Sequence, residues 1–552
     1  MSASMTGAPP ESQELSHKQI MTILSGLMLG MFLAALDQTI VATAIRTIGD
    51  DLNGLSIQAW VTTAFLITST ISTPLFGKLS DIYGRKPFFM LAISIFIVGS
   101  ALCGLAQNMY MLAAFRAFQG VGAGGLMPLA LAIIGDIIPP RERARYQGYF
   151  MAVFATASVL GPVVGGFFAG QSRIFGIPGW RCIFYINIPI GIVALLVVEA
   201  VLKLDHVRRD HRIDWSGAAM LVVGLVPLLI IAEQGRTWGW ASTGAYTCYL
   251  LGAIGLVAFV VVESRMGDEA LLPLRLFRGS VFSVGSAQAT IIGMGMFGGM
   301  SSIPLYLQIV KGASPTKAGL LILPMIAGVM SASMFSGQIT SRTGRYKIFP
   351  VIGSILMVVG MVVMTQIGAD TPLWQTDIYM AIFGMGLGFN MQSIVLAMQN
   401  AVEPRDMGVA TSAVTFFRQV GGSLGTAVFL SILFTRAQTN IPHELAKSGV
   451  QLPPGKFDLN DTSGLKSLPD TVKHPILVGF SNAMDTVFLV AAFVVLIAVV
   501  LSVMLKEVPL RTMSGQQARA AAAQAARGAP TDVAPVGAAG QPGSGSPADL
   551  EK

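Results

Sequence analysis

The chain alternates long apolar runs with short polar connectors from about residue 20 to residue 505. Most runs are about 20 residues or longer, which is the length that an α-helix needs to cross the hydrocarbon core of a bilayer. Because lipid offers no partners for exposed backbone groups, runs of this length favour closed helices. The pattern predicts fourteen membrane-spanning helices, at 20–45, 58–77, 87–105, 110–138, 146–171, 182–202, 215–232, 246–262, 281–306, 316–339, 348–366, 378–399, 408–435 and 479–505.

The basic residues of the connectors predict the orientation of these helices. With the N-terminus inside, the short inner loops hold seventeen Lys and Arg residues and the short outer loops hold six. Cytoplasmic loops of membrane proteins carry such an excess of cations. An even number of helices returns the C-terminus to the inside, so we expect both termini to be cytoplasmic in a multi-pass protein of the cell (plasma) membrane.

The polar segments outside the apolar runs predict the remaining organisation. Residues 1–19 are interpreted as a cytoplasmic tail, because they lack the short apolar region of a signal peptide. Residues 436–478 are polar and contain several prolines, which predicts an outer loop before the last helix. Residues 506–552 are interpreted as a disordered cytoplasmic tail, because most of this segment is rich in Ala, Gly, Pro and Gln.

The sequence contains an internal repeat. Glycine, glycine and arginine recur at one spacing in two loops 260 residues apart: Gly77, Gly84 and Arg85 in the first, and Gly337, Gly344 and Arg345 in the second. The same offset relates Gly161 and Gly165 to Gly421 and Gly425. The repeat predicts two equivalent six-helix bundles, at 20–202 and 281–505, with two inserted helices in a linker at 203–280. Duplicated bundles with a substrate site at their interface are typical of transporters.

Composition excludes other classes of protein. Of 552 residues, 53% are apolar and 12% are charged, against roughly a quarter charged in soluble proteins. The net charge of +7 comes from scattered connectors rather than from a basic patch, so we expect no nucleic-acid partner. The three cysteines have no metal-ligand spacing, and we expect neither a metal nor a cofactor.

Five characteristic segments follow one another along the chain: LDQTIVATA at 36–44, GKLSDIYGRK at 77–86, RAFQGVG at 116–122, GPVVGG at 161–166 and WRCIFYINIP at 180–189. With these segments the chain resembles the major facilitator superfamily, and within it the fourteen-helix drug:proton antiporter branch, over residues 20–505. Arg46 departs from the branch, which usually has proline at that end of the first helix. The resemblance implies an all-α membrane protein with the major-facilitator fold, which transports a small molecule and protons and is expected to be a monomer.

Asp37 is the candidate for proton coupling. It lies well inside the first predicted helix, where an unpaired charged carboxylate is costly. An apolar environment favours the protonated form, so Asp37 is suited to take up and release protons. A structural ion pair with Arg116 is the alternative, and the two interpretations are compatible if protonation breaks the pair.

Two further motifs are candidates for conformational roles. In the first, Asp81 is suited to face a helix N-terminus and Arg85 to pair with Asp136, which predicts a latch at the inner face. The latch residues are Gly77, Asp81, Gly84, Arg85 and Asp136. In the second, the helix-kinking group Gly161, Pro162, Gly165 and Gly166, the resemblance implies an antiporter that exports its substrate, although physically it also suits an ordinary packing helix.

A mostly apolar substrate cavity is predicted between the bundles. Its candidate polar residues lie within or at the ends of predicted helices: Gln38, Asn187, Glu233, Asn390 and Gln392, with Gln288 and Gln399 beside them. Methionines such as Met294, Met296 and Met300 suit a promiscuous site, although packing is an equally ordinary use for them. Arg418 is buried in the thirteenth predicted helix without an identifiable partner.

These features together predict a proton-coupled antiporter that exports hydrophobic or amphipathic small molecules such as drugs, dyes or secondary metabolites. Export of a native lipid or glycolipid by the same machinery is the alternative. A membrane-embedded enzyme is disfavoured because no predicted span contains a histidine. A sensor or receptor remains open, but it would not require the carboxylate at Asp37.

Overall fold

A computed structural model describes residues 17–52, 58–174, 176–202, 213–449 and 468–511. Residues 512–552 of the predicted disordered tail at 506–552 lie outside these residues, as do most of the predicted N-terminal tail and part of the predicted outer loop. Residues 506–511 were predicted to be disordered, but the structure describes them, and Asn400 donates to the carbonyls of Val508 and Pro509 at 3.2 and 3.0 Å. Residues 17–19, which were predicted to belong to the tail, already form the first turn of a helix.

The described chain is almost entirely helical. The α-helices are α1 (His17–Asp51), α2 (Gln58–Tyr83), α3 (Arg85–Gly104), α4 (Met109–Ile137), α5 (Pro140–Gly170), α6 (Cys182–Tyr185), α7 (Asn187–Val201), α8 (Trp215–Trp238), α9 (Thr243–Met266), α10 (Leu274–Phe277), α11 (Ser280–Leu305), α12 (Pro315–Leu321), α13 (Leu323–Thr343), α14 (Ile348–Met364), α15 (Leu373–Ala401), α16 (Met407–Lys447) and α17 (Asp470–Met504). Short 3₁₀ turns occupy Gly179–Arg181, Gly267–Glu269 and Pro404–Asp406, and a π-helical turn occupies Tyr306–Val310. One hairpin pairs β1 (Arg173–Ile174) antiparallel with β2 (Ile177–Pro178).

Twelve helical segments of the described chain are long and apolar enough to cross a membrane. Helices α2 and α14 occupy the second and eleventh predicted spans, but α14 has 17 residues and α2 is rich in hydroxyl groups. Two of these hydroxyls are satisfied by the neighbouring helix, because Ser72 and Thr73 each donate to a carbonyl of α4 at 3.0 Å. Twelve of the fourteen predicted spans therefore meet the length and composition that crossing requires.

The same helix packing occurs twice. In the first half α1 packs on α5 and α7, while α3 packs on α4 and α7 and α2 packs on α4. In the second half α11 packs on α16 and α17, while α14 packs on α15 and α17 and α13 packs on α15. Each contact has its counterpart at the position that the sequence repeat predicts. The two halves are thus equivalent bundles.

The glycines of the repeat explain one of these paired contacts. Gly161 of α5 lies against Thr39 of α1, and Gly421 of α16 lies against Thr290 of α11. A Cβ atom at either glycine would overlap the neighbouring helix, so glycine lets the two helices approach closely. Thr39 strengthens the first contact by donating to the carbonyl of Ala157 on α5 at 3.1 Å.

The inserted helices α8 and α9 pack on each other and are linked to both halves. Lys78 of α2 donates to the carbonyl of Asp268, in the turn after α9, at 2.8 Å. From the same connector, Arg275 donates to both carboxylate oxygens of Asp406 at 2.9 and 3.0 Å. Although partial burial opposes it, the carboxylates of Asp406 and Asp268 raise the pKa of the Arg275 guanidinium above its usual value. The insertion therefore connects the first bundle with the start of α16.

The predicted outer loop at 436–478 is shorter in the structure. Helix α16 continues to Lys447 and α17 begins at Asp470, so helix covers both ends of the predicted loop. Ala437, Ile441 and Leu445 recur every four residues and are buried, and Ile441 packs against Gly479 of α17. This apolar stripe extends the helix pair beyond the continuous apolar run.

Candidate functional site

The Asp37 carboxylate is fully buried and accepts hydrogen bonds from three side chains. Arg116 of α4 donates from Nη1 to Oδ2 at 2.5 Å. Gln119, one turn further along α4, donates to Oδ1 at 3.0 Å, and Asn187 of α7 donates to the same oxygen at 2.8 Å. We call Asp37, Arg116, Gln119 and Asn187 the Asp37 network. All four residues belong to the first bundle.

The surroundings of Arg116 hold this network in place. The Arg116 Nη1 atom also donates to Gln119 at 2.7 Å, and its guanidinium lies over the Phe65 ring, 4.0 Å from the centroid. Asn187 in turn donates to Ser100 of α3 at 3.0 Å. A charged carboxylate with one cationic and two amide donors satisfies the requirement that a buried charge be paired and hydrogen-bonded. The network therefore suits an ionised Asp37.

The predicted latch residues join the two halves at the predicted cytoplasmic end. Asp81, near the end of α2, accepts hydrogen bonds from the backbone N–H groups of Gly408 and Val409 at 3.2 and 3.0 Å. These groups belong to the first turn of α16, so a carboxylate of the first half caps a helix of the second. Anions are favoured at helix N-termini, where backbone N–H groups lack partners. Gly77 permits this approach, because it packs directly against Ser412.

Arg85 orients Asp81 from the start of α3. Its guanidinium forms ion pairs with Asp81 at 2.5 Å and with Asp136 of α4 at 2.8 Å, and all three side chains are largely buried. The chain reaches this position through Gly84, whose φ of 105° favours glycine over any residue with a Cβ atom. The structure thus brings together all five residues proposed for the latch.

A second polar contact between the halves was not predicted. Arg143 lies between the fourth and fifth predicted spans, in a predicted inner loop, but α5 begins at Pro140 and the Arg143 side chain is buried. It donates to Gln399 of α15 at 2.5 Å and to the carbonyls of Gly135 and Ile138. Pro140 after Pro139 was the available signal, because proline is favoured in the first turn of a helix. Gln399, predicted to line the cavity, instead belongs to this contact.

The Gly161–Pro162 segment touches both halves. Gly161 and Gly165 pack on α1, while Pro162 faces Gly319 of α12 in the other bundle. Gly166 is half-buried on the same helix. Proline removes one backbone hydrogen bond inside α5, so this helix has a natural point of bending at the interface.

A cavity lies between the two bundles, near the middle of the helices. The first bundle lines it with Met31, Met127, Leu131 and Phe150, and the second with Ser333, Met391, Gln392, Val395 and Arg418. Its volume is about 30 Å³, whereas sites for drug-sized ligands occupy roughly 300–1,000 Å³. The halves must therefore separate before a compound of that size enters.

Of the predicted cavity residues, only Gln392 lines this space. Asn187 belongs to the Asp37 network, and Asn390 is fully buried within the second bundle, where it accepts from Gln288 at 3.2 Å. Gln38 is exposed and Glu233 is half-buried on the inserted helix α8. The cavity methionines are Met31, Met127 and Met391, while Met294, Met296 and Met300 lie elsewhere.

Among the described residues, no group of three or more His, Cys, Asp or Glu side chains is arranged to hold a metal ion. The three cysteines are free thiols. The features described above are the buried ion pairs of Arg116 and Arg85, the polar contacts between the halves and the central cavity.

Comparison with known proteins gives consistent results. The family model of the Major Facilitator Superfamily matches residues 27–426. Multidrug transporter protein MdtP of Bacillus subtilis is 32% identical over 541 residues, covering 93% of this chain and 98% of that protein. Multidrug resistance protein 3 of the same organism is 34% identical over 488 residues, covering 87% and 93%. Among solved structures, the proton:xylose symporter XylE aligns with a TM-score of 0.58 at 15% identity, covering 92% of this chain and all of that one.

Proposed function

Because the chain belongs to the Major Facilitator Superfamily, a family of membrane transporters, we propose that it exports hydrophobic or amphipathic small molecules across the cytoplasmic membrane in exchange for protons. The names of its relatives support the cargo, since both Bacillus subtilis proteins are called multidrug proteins. The mostly apolar lining of the cavity is compatible with such compounds.

The Asp37 network is the observation that supports the proposal of proton coupling. Protonation of Asp37 removes the negative charge that Arg116 requires and turns one carboxylate oxygen from an acceptor into a donor. The Arg116 guanidinium then lacks a counter-ion inside the membrane, where unpaired charge is costly. The first bundle responds by changing the packing of α1, α4 and α7, which are the helices that supply the network.

The contacts between the halves provide the conformational side of the cycle. Asp81 and the Arg143–Gln399 contact join the two halves, and in the proposed cycle they keep the predicted cytoplasmic end closed. In the opposite state, both contacts separate and the cavity opens towards the cytoplasm, so that cargo enters. Alternation between the two states moves cargo outward when the return step carries a proton inward.

The energy available from one proton is sufficient for this task. One elementary charge that crosses a potential of 100 mV yields about 2.3 kcal/mol. Since about 1.4 kcal/mol corresponds to a tenfold ratio of concentrations, one or two protons per cycle sustain accumulation of a cargo well beyond tenfold.

Transport by purified protein in liposomes tests the proposal. An imposed pH gradient is expected to drive accumulation of a fluorescent amphipathic dye by the wild-type chain. Asp37→Asn is expected to abolish accumulation while leaving dye binding intact, because Asn cannot cycle a proton. Asp470→Asn is the matched control, since Asp470 is an exposed carboxylate at the start of α17, and it should transport normally.

An imposed sodium gradient and a labelled lipid cargo separate the remaining alternatives. We expect that a sodium gradient at constant pH drives no accumulation of the dye. We also expect that the dye is transported in preference to the lipid. Gradient-driven dye accumulation by Asp37→Asn at the wild-type level would show that this carboxylate does not couple protons to transport.

A further inference from the structure

Four arginine side chains are buried in the described part of the chain. Three of them have polar partners that account for their burial. Arg85 pairs with Asp81 and Asp136, Arg116 pairs with Asp37 and Gln119, and Arg143 donates to two carbonyls and to Gln399. The fourth, Arg418, has neither a hydrogen bond nor an ion pair with any residue that the structure describes.

Arg418 also differs from the other three in its location. It lies on α16, is 6% exposed, and lines the cavity between the two bundles. The other three arginines hold helices together, whereas this guanidinium faces the space that separates the halves. A buried cation without a partner is unfavourable, which makes a ligand the natural source of its counter-charge.

The rest of the cavity offers no internal counter-ion. None of its nine lining residues is acidic, and its surface is otherwise dominated by methionine, leucine, valine and phenylalanine. Ser333 donates its hydroxyl proton to the carbonyl of Gly388 at 3.1 Å, so this proton is already used within the protein. Gln392 is the remaining polar side chain of the lining. The cavity thus combines an adaptable apolar wall with one positive charge.

We propose that Arg418 binds the negatively charged group of the exported compound, and that the preferred cargo is an amphipathic organic anion. Such a compound has an apolar, ring-sized body and one carboxylate or sulfonate group. The guanidinium matches the oxygens of such groups with two parallel hydrogen bonds, while methionine adapts to apolar bodies of different shape. Organic cations are disfavoured by repulsion from the same charge. This inference rests on the proposed function, because it takes the cavity to be the cargo site.

Binding of two matched fluorescent compounds to the purified full chain in lipid nanodiscs tests this assignment. Dansyl sulfonate is an anion, and dansyl amide is its neutral counterpart with nearly the same shape. The wild-type chain is expected to bind the sulfonate about tenfold more tightly or better, because hydrogen bonds to charged groups are stronger than neutral ones. Protein-free nanodiscs provide the correction for partition into lipid.

Variants at position 418 connect this preference to the arginine. Arg418→Gln is expected to lower the affinity for the sulfonate about tenfold, while the affinity for the amide stays within about twofold. Arg418→Lys keeps the charge but not the planar fork, and should give an intermediate affinity. Arg436→Gln is the control, since Arg436 is exposed on the same helix and does not line the cavity; it should change neither affinity.

Several results would overturn the inference. Equal affinity of the wild-type chain for the sulfonate and the amide would overturn it without any variant. An equal loss of both affinities in Arg418→Gln would also overturn it, because such a loss indicates that Arg418 has a structural role. If Arg418→Gln does not fold, the inference is tested by the ratio of the two affinities in the wild-type chain and by the affinity of Arg418→Lys for the sulfonate.

A separate readout distinguishes this inference from the proposed function. Preference for the sulfonate in binding, without accumulation of either compound under a pH gradient, would refute antiport and leave the anion site standing. Gradient-driven accumulation of the amide, with no preference for the sulfonate, would support antiport and refute the anion site.

Discussion

At the scale of the residue, the buried charged side chains of this protein differ in the partners that they have. Asp37 and Arg116 neutralise each other and share further donors, so both charges are satisfied within one bundle. Breaking such a pair from one side leaves an uncompensated buried charge, which costs about 3–5 kcal/mol. The pair is therefore a structural element, and under the proposed function it also responds when one partner changes charge.

A pair of variants separates these two roles. Arg116→Gln should lower stability by about 3–5 kcal/mol because it leaves the Asp37 carboxylate without a cation. The double variant Asp37→Asn with Arg116→Gln should recover most of that stability, because both sites are then neutral. Thermal unfolding of the purified proteins in detergent measures the effect, and neither variant should accumulate dye under a pH gradient.

The control for this comparison is Glu199→Gln, which breaks the exposed ion pair between Glu199 and Lys86. Exposed pairs contribute about 0–1 kcal/mol, so this variant should be close to the wild type. If the double variant were as unstable as Arg116→Gln alone, the loss of stability would not come from an unpaired charge.

At the scale of the element, the N-terminus of α16 is a point at which a side chain of one bundle binds a helix end of the other. Its first N–H groups are capped by Asp81, a side chain of α2, whereas the side chain of its own N-cap residue, Asp406, makes no capping hydrogen bond. Separation of the halves removes this cap and leaves those N–H groups without a protein partner. In the proposed cycle, the helix terminus therefore favours closure of the predicted cytoplasmic end by an amount that depends on the carboxylate.

Substitution of Asp81 should open this end in a graded manner. Asp81→Ala removes charge and acceptor and should cost the closed state about 0.5–2 kcal/mol, while Asp81→Asn keeps an acceptor and should cost less. Spin labels at positions 83 and 343, which are exposed at the ends of α2 and α13, measure the separation. The population with the longer distance should increase from wild type to Asn to Ala.

Insertion into the membrane should be unaffected by either Asp81 variant, whereas transport should decrease. Glu199→Ala at the same end of the molecule is the control and should leave the distance distribution unchanged, because it removes only an exposed ion pair. Equal distributions in all the proteins would mean that the cap does not bias the two states.

At the scale of the whole molecule, two equivalent bundles meet at one interface whose polar contacts are few and specific. The latch and the Arg143–Gln399 contact lie at the predicted cytoplasmic end, and the cavity between the bundles is too small for a drug-sized compound. A transport cycle requires this interface to rearrange as a unit. The balance between its two states depends on contacts contributed by both halves.

Opposite substitutions of Gln399 should shift this balance in opposite directions. Gln399→Ala removes a hydrogen bond to a charged group, worth about 1.5–3 kcal/mol, and should favour the open cytoplasmic end. Gln399→Glu provides Arg143 with a counter-ion and should favour the closed end, which slows transport without preventing dye binding. The spin-label distances at positions 83 and 343 and the rate of dye transport measure both effects.

Combining each Gln399 variant with Asp81→Ala provides an internal control. Because the two contacts close the same end, Gln399→Ala should add to the opening caused by Asp81→Ala, and Gln399→Glu should oppose it. A shift of the two Gln399 variants in the same direction would show that the contact with Arg143 does not govern closure.

Much of this architecture could be predicted from the sequence because it depends on local pattern. Apolar runs reflect contact with lipid or core, so the positions of the helices follow from the runs themselves. The repeat of Gly161 and Gly165 at Gly421 and Gly425 predicted the paired packing of the bundles, since glycine marks close approach wherever it occurs. The family was likewise predicted, and its model matches residues 27–426. The count of fourteen spans and the orientation in the membrane stay predictions.

Boundaries and partners were less predictable. Helix α16 extends past residue 435 because its amphipathic end packs on α17, which an average over hydropathy does not detect. Arg143 was predicted to be a loop cation, yet its partner lies 256 positions away along the chain, in the other half.

The sequence by itself determined which segments are apolar helices and that they recur as a repeated set, and it placed Asp37 deep inside the first of them. Only the tertiary structure decided that Asn187 serves Asp37 rather than the cavity, that Asp81 caps a helix of the opposite bundle, and that Arg418 faces the central space without a partner. The reason is physical. Hydropathy and spacing record the surroundings of each residue along its own helix, whereas the pairing of a charge depends on which other helices face it.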